Sequence, residues 1–210
     1  MRIPLAPDGY RFILPLLALT VLFAALGWMI PAGLAFLALA FVVNFFRDPE
    51  RAIPSEPGAV VSPADGKVVE ITEDKDPWLT GPAVRISIFL NVFNVHVNRI
   101  PEAGTIKGIR YNRGKFLNAA SHKASLDNEQ NAVLLECGPH LLVVKQIAGL
   151  IARRIVCWVS EGRACQRGER FGLIRFGSRV DLFLPASSEI RVRVGDSVKG
   201  GADILARLPG

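Results

Sequence analysis

His96 is one of only three histidines in 210 residues, and it stands in "NVFNVHVNRIP", residues 91–101. By the two-residue period of a strand, Asn94, His96 and Asn98 share one face, a polar stripe among valines that suits a lined cleft. An imidazole there can hold or release a proton near neutral pH; a strand histidine bonded to a carbonyl has the same look. Asp65 stands in "VVSPADGKVV" (60–69), where Asp-Gly between two apolar runs signals a tight hairpin. From such a tip an acid can reach a site built by other strands and orient a histidine. Ser178 follows Gly177 in "IRFGSRVDLFLP" (174–185). Together Asp65, His96 and Ser178 form a permissible Asp-His-Ser set, which needs only to meet in space. A serine after glycine has a further option. Its Oγ can attack the uncrowded Gly177 carbonyl; elimination from the resulting ester would leave a dehydroalanine, whose hydrolysis would give a keto group on residue 178, an electron sink. The plainer alternative is a bulge in a strand running through 174–185.

These residues need a scaffold, and the composition bounds it. The chain has room for one domain with an appendage, and half of its residues are apolar. Net charge is +6, which favours anionic partners, and beside a long apolar segment the partner is a membrane surface rather than nucleic acid. Scattered basic residues and few aromatics argue against a nucleic-acid binder. Cys137, Cys157 and Cys165 are odd in number, without C-x-x-C spacing or clustered histidines. They read as reduced core residues, with neither a disulfide framework nor a metal site.

No charged residue occurs from Phe12 to Phe46. "FILPLLALTVLFAALGWMI" (12–30) is long enough to span a bilayer, which takes ~20 residues; "PAG" (31–33) offers a turn, and "LAFLALAFVVNFF" (34–46) follows. The expectation is a hydrophobic helical hairpin or a re-entrant wedge rather than a cleaved signal peptide, because the apolar run continues past the small-x-small site at 38–40. Arg2 and Arg11 before it and Arg47 and Arg51 after it place both flanks in the cytoplasm. The expected organisation is a membrane-anchoring segment at 1–46, a proline-punctuated linker at 47–58 and a β-rich domain at 59–210. Short β-branched runs separated by Gly, Pro, Asn and Asp make that domain mainly β, a barrel or sandwich. Residues 115–131 read instead as a polar loop or short helix. Gly162 and Gly168 recur as Gly195 and Gly201, 33 residues on. This weak repeat resembles the hairpins of lipoyl domains, although no lysine sits as their modified lysine does.

The stretches "VVSPADGKVV", "NVHVNRIP", "GKFLNA", "ARRIVCWV", "RFGSRVDLFLP" and "VRVGDSVKGG" together resemble phosphatidylserine decarboxylase in its short prokaryotic (archaeal-type) form, from about residue 45 to the C-terminus. The resemblance implies a proenzyme that cuts itself between Gly177 and Ser178 into a β chain (1–177) and an α chain (178–210), which stay associated. It implies a pyruvoyl cofactor made from Ser178, with no metal. That group would take the amine of phosphatidylserine as a Schiff base and release carbon dioxide and phosphatidylethanolamine. His96 would move the proton, Asp65 would assist self-cleavage, and Arg99 and Lys67 would pair with the lipid phosphate or the serine carboxylate. The setting would be the cell membrane, with the catalytic domain on the cytoplasmic side; whether copies assemble into a homo-oligomer is left open. Two departures stand out. Larger bacterial members carry H-x-x-H-x-P where this chain has His96 and then Arg99, and a small hydroxyl residue where it has Arg179. The rival readings are a membrane-anchored lipoyl-like adaptor, which would need coiled-coil segments, and a serine hydrolase, which would need a glycine after the nucleophile.

Overall fold

A computed structural model describes residues 4–114, 128–149, 154–175 and 178–210. Chain contacts divide the protein into two units, Met1–Glu50 and Arg51–Gly210. Residues 51–58, within the expected linker, fall in the second unit. Arg167 holds the carbonyls of Pro54 and Glu56 there, both at 2.8 Å.

The first unit is a pair of helices, α1 (Tyr10–Ala25) and α2 (Met29–Phe45). Leu14, Val21, Leu22, Met29, Ile30, Leu34 and Leu37 are all exposed. A helix apolar on every side suits lipid rather than water, and its backbone groups satisfy one another within the helix. The stretch Pro7–Ala25 is long and apolar enough to cross a membrane, while Met29–Phe45 is shorter. The turn does not fall at "PAG". It falls at residues 26–28, where Gly27 takes φ +73°, the left-handed conformation that commonly ends a helix. Pro31 lies in the first turn of α2, where its missing N–H costs nothing. The apparent breaker thus helps to start a helix.

The second unit is all antiparallel strand. Its large sheet runs in the order β13 (Ser197–Val198), β2 (Gly66–Asp74), β3 (Ala83–Leu90), β11 (Ser178–Pro185), β7 (His140–Ala148), β6 (Gln130–Cys137), β5 (Gly104–Asn112), β9 (Ala164–Cys165). Two small sheets accompany it: β1 (Ala59–Val61), β14 (Ile204–Arg207) and β12 (Glu189–Ile190); and β4 (Val97–Arg99), β10 (Arg170–Arg175) and β8 (Arg154–Cys157). The protein is mainly β, as expected. The inner face of the large sheet supplies Ile86, Ile88, Leu90, Leu142, Val144, Val180, Leu182 and Leu184 to one core, joined by Phe171, Ile174, Ile155 and Leu205 from the small sheets. Each side chain of this size contributes about 1.5–3 kcal/mol by leaving water.

The repeat glimpsed in the glycines extends through the whole domain. Strands β13, β2 and β3 on one side of the central pair β11 and β7 are answered by β9, β5 and β6 on the other. Gly195 and Gly162 both take positive φ, and their N–H groups donate to Val68 and Ile106, two strand residues in matching positions. Gly201 and Gly168 do the same toward Ser62 and Ile100. Ile53 lies between this second pair: a Cβ on Gly168 would stand 2.3 Å from its Cδ1, and one on Gly201 3.3 Å.

Two local expectations change. Asp65-Gly66 is not a hairpin turn, because β1 pairs with β14 while β2 pairs with β3 and β13; the Asp-Gly signal marks a bend without naming the sheet each flank joins. The run 174–185 is not one strand either. Ile174 and Arg175 end β10, between β4 and β8, while residues 178–185 form β11, between β3 and β7. Ile174 of the one and Val180, Leu182 and Leu184 of the other enter the same core.

Gly168→Ala tests the hub around Ile53. The left-handed backbone alone costs about 1–2 kcal/mol for a residue with a Cβ, and the clash with Ile53 adds to it. Adding Ile53→Ala should restore the clash portion and leave the backbone portion, read as unfolding midpoints in detergent.

Candidate active site

Ser178 opens β11 and is paired with Leu90 on one side and Ala148 on the other. It has the same strand phase as Val180, Leu182 and Leu184, so its side chain faces the core. The residue is fully buried, and its Oγ has no hydrogen-bond partner among the described residues. An unmade hydrogen bond on a buried hydroxyl costs about 1–3 kcal/mol, and native structures keep few such groups without reason. Gly177, the other half of the expected cleavage site, lies outside the described residues.

The next residue fixes the strand from its outer face. Arg179 is 1% exposed, and its Nε and Nη2 fork onto Asp181 at 2.6 and 3.1 Å, with Nη2 also donating to Ser87 Oγ at 2.9 Å. Arg85 stands 3.5 Å from Asp181 and 2.7 Å from Asp74. A planar guanidinium held by two carboxylate oxygens has little freedom, so the backbone beside Ser178 is held firmly.

His96 is also fully buried. It follows a turn at residues 91–94 that the asparagines cap for themselves: Asn91 N–H donates to Asn94 Oδ1 at 2.9 Å, and Phe93 N–H to Asn91 Oδ1 at 2.8 Å. This turn begins just past Leu90, the residue paired with Ser178, and so brings the His96 segment back toward the same end of the sheet. His96 Nδ1 lies 2.9 Å from the Asn94 carbonyl. A carbonyl only accepts, so the neutral ring carries its proton on Nδ1 and its lone pair on Nε2.

Asp65 is nearly buried and fully engaged. Arg51 Nη2 bonds both of its oxygens, at 3.0 and 2.8 Å, and the Gly200 N–H donates to Oδ1 at 2.7 Å. Among the described residues none of its bonds goes to His96. The orienting partner of the imidazole is the Asn94 carbonyl instead. Arg99 is buried, with Nη1 donating to the Gly168 carbonyl at 3.0 Å and its Cδ close against Gly201. Lys67 is exposed and shares the outer face with Phe89 and Arg179, opposite the face that Ser178 uses.

Sequence reasoning named Asn98 in a polar stripe but missed Gln146 and Asn131, with which it forms a line of buried amides on the inner face. Gln146, opposite Val180 and one row down from Ser178, donates through Nε2 to Asn98 Oδ1 at 2.8 Å and accepts from Asn131 Nδ2 at 2.9 Å. All three residues are at most 1% exposed. Gly172 makes room for them, since a Cβ there would stand 2.8 Å from Gln146 Nε2. A signal was present: in the strand 140–148, Gln146 has the phase of Leu142, Val144 and Ala148, a polar residue at a core position.

Other reactive groups are held quiet. Burial, reinforced by Glu102, pushes the Cys137 thiol up to about 12, and burial also raises Cys165, so both stay protonated and poorly nucleophilic. His140 Nε2 lies 3.0 Å from the Pro209 carbonyl. Among the described residues no three His, Cys, Asp or Glu side chains gather as a metal site would require.

The site thus combines a buried serine, unpartnered among the described residues, with a buried imidazole. The family model for phosphatidylserine decarboxylase matches residues 38–206. A phosphatidylserine decarboxylase proenzyme of Aromatoleum aromaticum is 49% identical over 98% of this chain and 96% of its own length. Proenzymes of the same name from Burkholderia pseudomallei and Burkholderia mallei are 47% identical over 98% of this chain and 95% of theirs. The chain belongs to the phosphatidylserine decarboxylase family.

The Arg51–Asp65 pair can be tested directly. Arg51→Ala and Asp65→Asn should each lower the unfolding free energy. The double variant should lose less than the sum, with a coupling of about 0.5–3 kcal/mol.

Proposed function

We propose that this chain decarboxylates phosphatidylserine in the membrane to phosphatidylethanolamine, after cutting itself between Gly177 and Ser178. The observation that carries this reading is the buried Ser178 hydroxyl, unpartnered among the described residues, at the head of a central strand. Attack of its Oγ on the Gly177 carbonyl converts the amide into an ester and frees the amine of residue 178. A base then removes the Cα proton, the Cβ–O bond breaks, and Gly177 leaves as a carboxylate. Water replaces the nitrogen of the dehydroalanine, which departs as ammonia, and residue 178 becomes a pyruvoyl cap. That conversion breaks no hydrogen bond of the Ser178 hydroxyl among the described residues. When present, the pyruvoyl group supplies the electron sink for decarboxylation.

The protein's own residues do the rest. His96, with Nδ1 directed to the Asn94 carbonyl, presents Nε2 as the atom that takes and returns protons. Arg179, forked onto Asp181, keeps residue 178 in register. Asp65 acts from a distance, holding the Gly200 turn and Arg51 in place, and Arg99 likewise holds the glycine hub; both are positioning residues. The α chain stays bound after the cut because β11 lies between β3 and β7, β13 pairs with β2, and β14 with β1. The apolar helix pair keeps the domain where its lipid substrate is. Arg2, Arg11, Arg47 and Arg51 flank the pair and favour the cytoplasmic side.

Intact mass under denaturing conditions should give chains of residues 1–177 and 178–210, the second blocked by a pyruvoyl group. Ser178→Ala should stay a single chain and release no carbon dioxide; an uncut but folded wild type would refute the self-processing reading. His96→Ala should lower decarboxylation by about 10²–10⁴-fold, and its chain pattern on a gel tells whether the same imidazole also serves the cut.

A further inference from the structure

The buried amides carry an assignment beyond the residues already placed in the reaction. Asn131 donates to Gln146 Oε1, so Gln146 presents Nε2 to Asn98, and Asn98 must accept with Oδ1. That order leaves one open end. Asn98 Nδ2 is fully enclosed and has no hydrogen-bond partner among the described residues. A second open polar group of the same inner layer is Ser178 Oγ. The strand register brings the two regions together: Ser178 pairs with Ala148, Val180 with Gln146, and Gln146 holds Asn98. Asn98 is also two residues beyond His96. Apolar side chains of Leu90, Ala148, Ile174 and Val180 belong to the same core.

We infer that Asn98 Nδ2 is the hydrogen-bond donor that seats the carboxylate of the substrate's serine headgroup in front of residue 178, with Gln146 as the residue that aims it. This assignment rests on the decarboxylase reading. Of the two cations expected to take that carboxylate, Arg99 donates to the Gly168 carbonyl and Lys67 lies on the opposite face. A neutral amide also suits the reaction better than a cation. The carboxylate loses its charge as the carbon–carbon bond breaks, and a tight ion pair would hold the ground state more strongly than the transition state. An amide in a dry setting fixes the direction of the departing group without that penalty.

The test uses the full-length protein in detergent micelles of known phosphatidylserine content, measuring carbon dioxide release and inhibition by phosphatidylethanolamine, which lacks the carboxylate. Asn98→Ala should still be cut into two chains. Its kcat/KM should fall about 10- to 100-fold, the range of one hydrogen bond to a charged group, while inhibition by phosphatidylethanolamine stays within about twofold of wild type. Asn98→Asp keeps the shape but turns the donor into an anion, so it should fall below Asn98→Ala at pH 8 and recover as the pH is lowered. Gln146→Leu leaves the donor but not its aim, and should lower kcat more than it raises KM. If Asn98→Ala fails to fold, the pH profile of Asn98→Asp decides alone.

Equal weakening of phosphatidylethanolamine inhibition, an uncut Asn98→Ala chain, or an Asn98→Asp protein as active as wild type from pH 6 to 9 would each overturn the assignment. A wild type that releases no carbon dioxide from phosphatidylserine would overturn the decarboxylase reading itself, and this assignment with it. An active wild type with unaffected Asn98 variants would overturn the assignment alone.

Discussion

The antiparallel pairing of β11 with β3 and β7 is the constraint on which the rest of the domain depends. All eight residues of β11 are matched on β3 and six are matched on β7, so the strand is held from both edges along most of its length. Its inner residues complete the core, and its outer residues anchor the Arg179, Asp181 and Arg85 charges. Its first residue is Ser178. A reactive group at the head of such a strand inherits the rigidity of the whole sheet, as a site needs when its chemistry depends on a strained approach between neighbouring backbone atoms.

The doubled architecture explains how a sheet can tolerate an opening there. In one half, β6 ends at Cys137 and β7 begins at His140, paired across a turn of Gly138 and Pro139. In the other half, the matching strands are β3, ending at Leu90, and β11, beginning at Ser178. There the chain makes no tight turn; it travels from Asn91 through seven other strands before it returns. Ser178 thus occupies the place that His140 fills in the twin half. At the hairpin the connection is needed to close two neighbouring strands. At Ser178 the register is fixed by strands on both sides.

Much of this was legible in the residues, and the failures share a cause. The uncharged run 12–46 announced the helix pair, the short β-branched segments announced a β domain, and glycines 33 residues apart announced the repeat. Ser178 and His96 stood out because of their neighbours and a family resemblance. What local pattern could not supply was partnership. Asp65-Gly66 looked like a hairpin because the turn signal does not say that its flanks enter different sheets. The run 174–185 looked continuous because one core serves both of its halves. Nothing in "HVNRIP" shows that the Arg99 guanidinium meets the Gly168 carbonyl. Pro31 and Gly33 read as breakers, yet near a helix start they break nothing.

The interleaving of the C-terminal strands reaches beyond the site. Residues 178–210 supply β11, β12, β13 and β14, which knit into both the large sheet and one of the small ones. While the chain is continuous, those strands find their neighbours as tethered parts of one molecule. If the backbone opens before residue 178, as proposed, the strand partners stay the same but the way back to them does not. An unfolded pair of fragments must meet again from solution, so recovery depends on concentration and competes with aggregation. The active form would then persist by the slowness of its unfolding rather than by an equilibrium with a single unfolded chain, and its assembly would be an event that each molecule completes once.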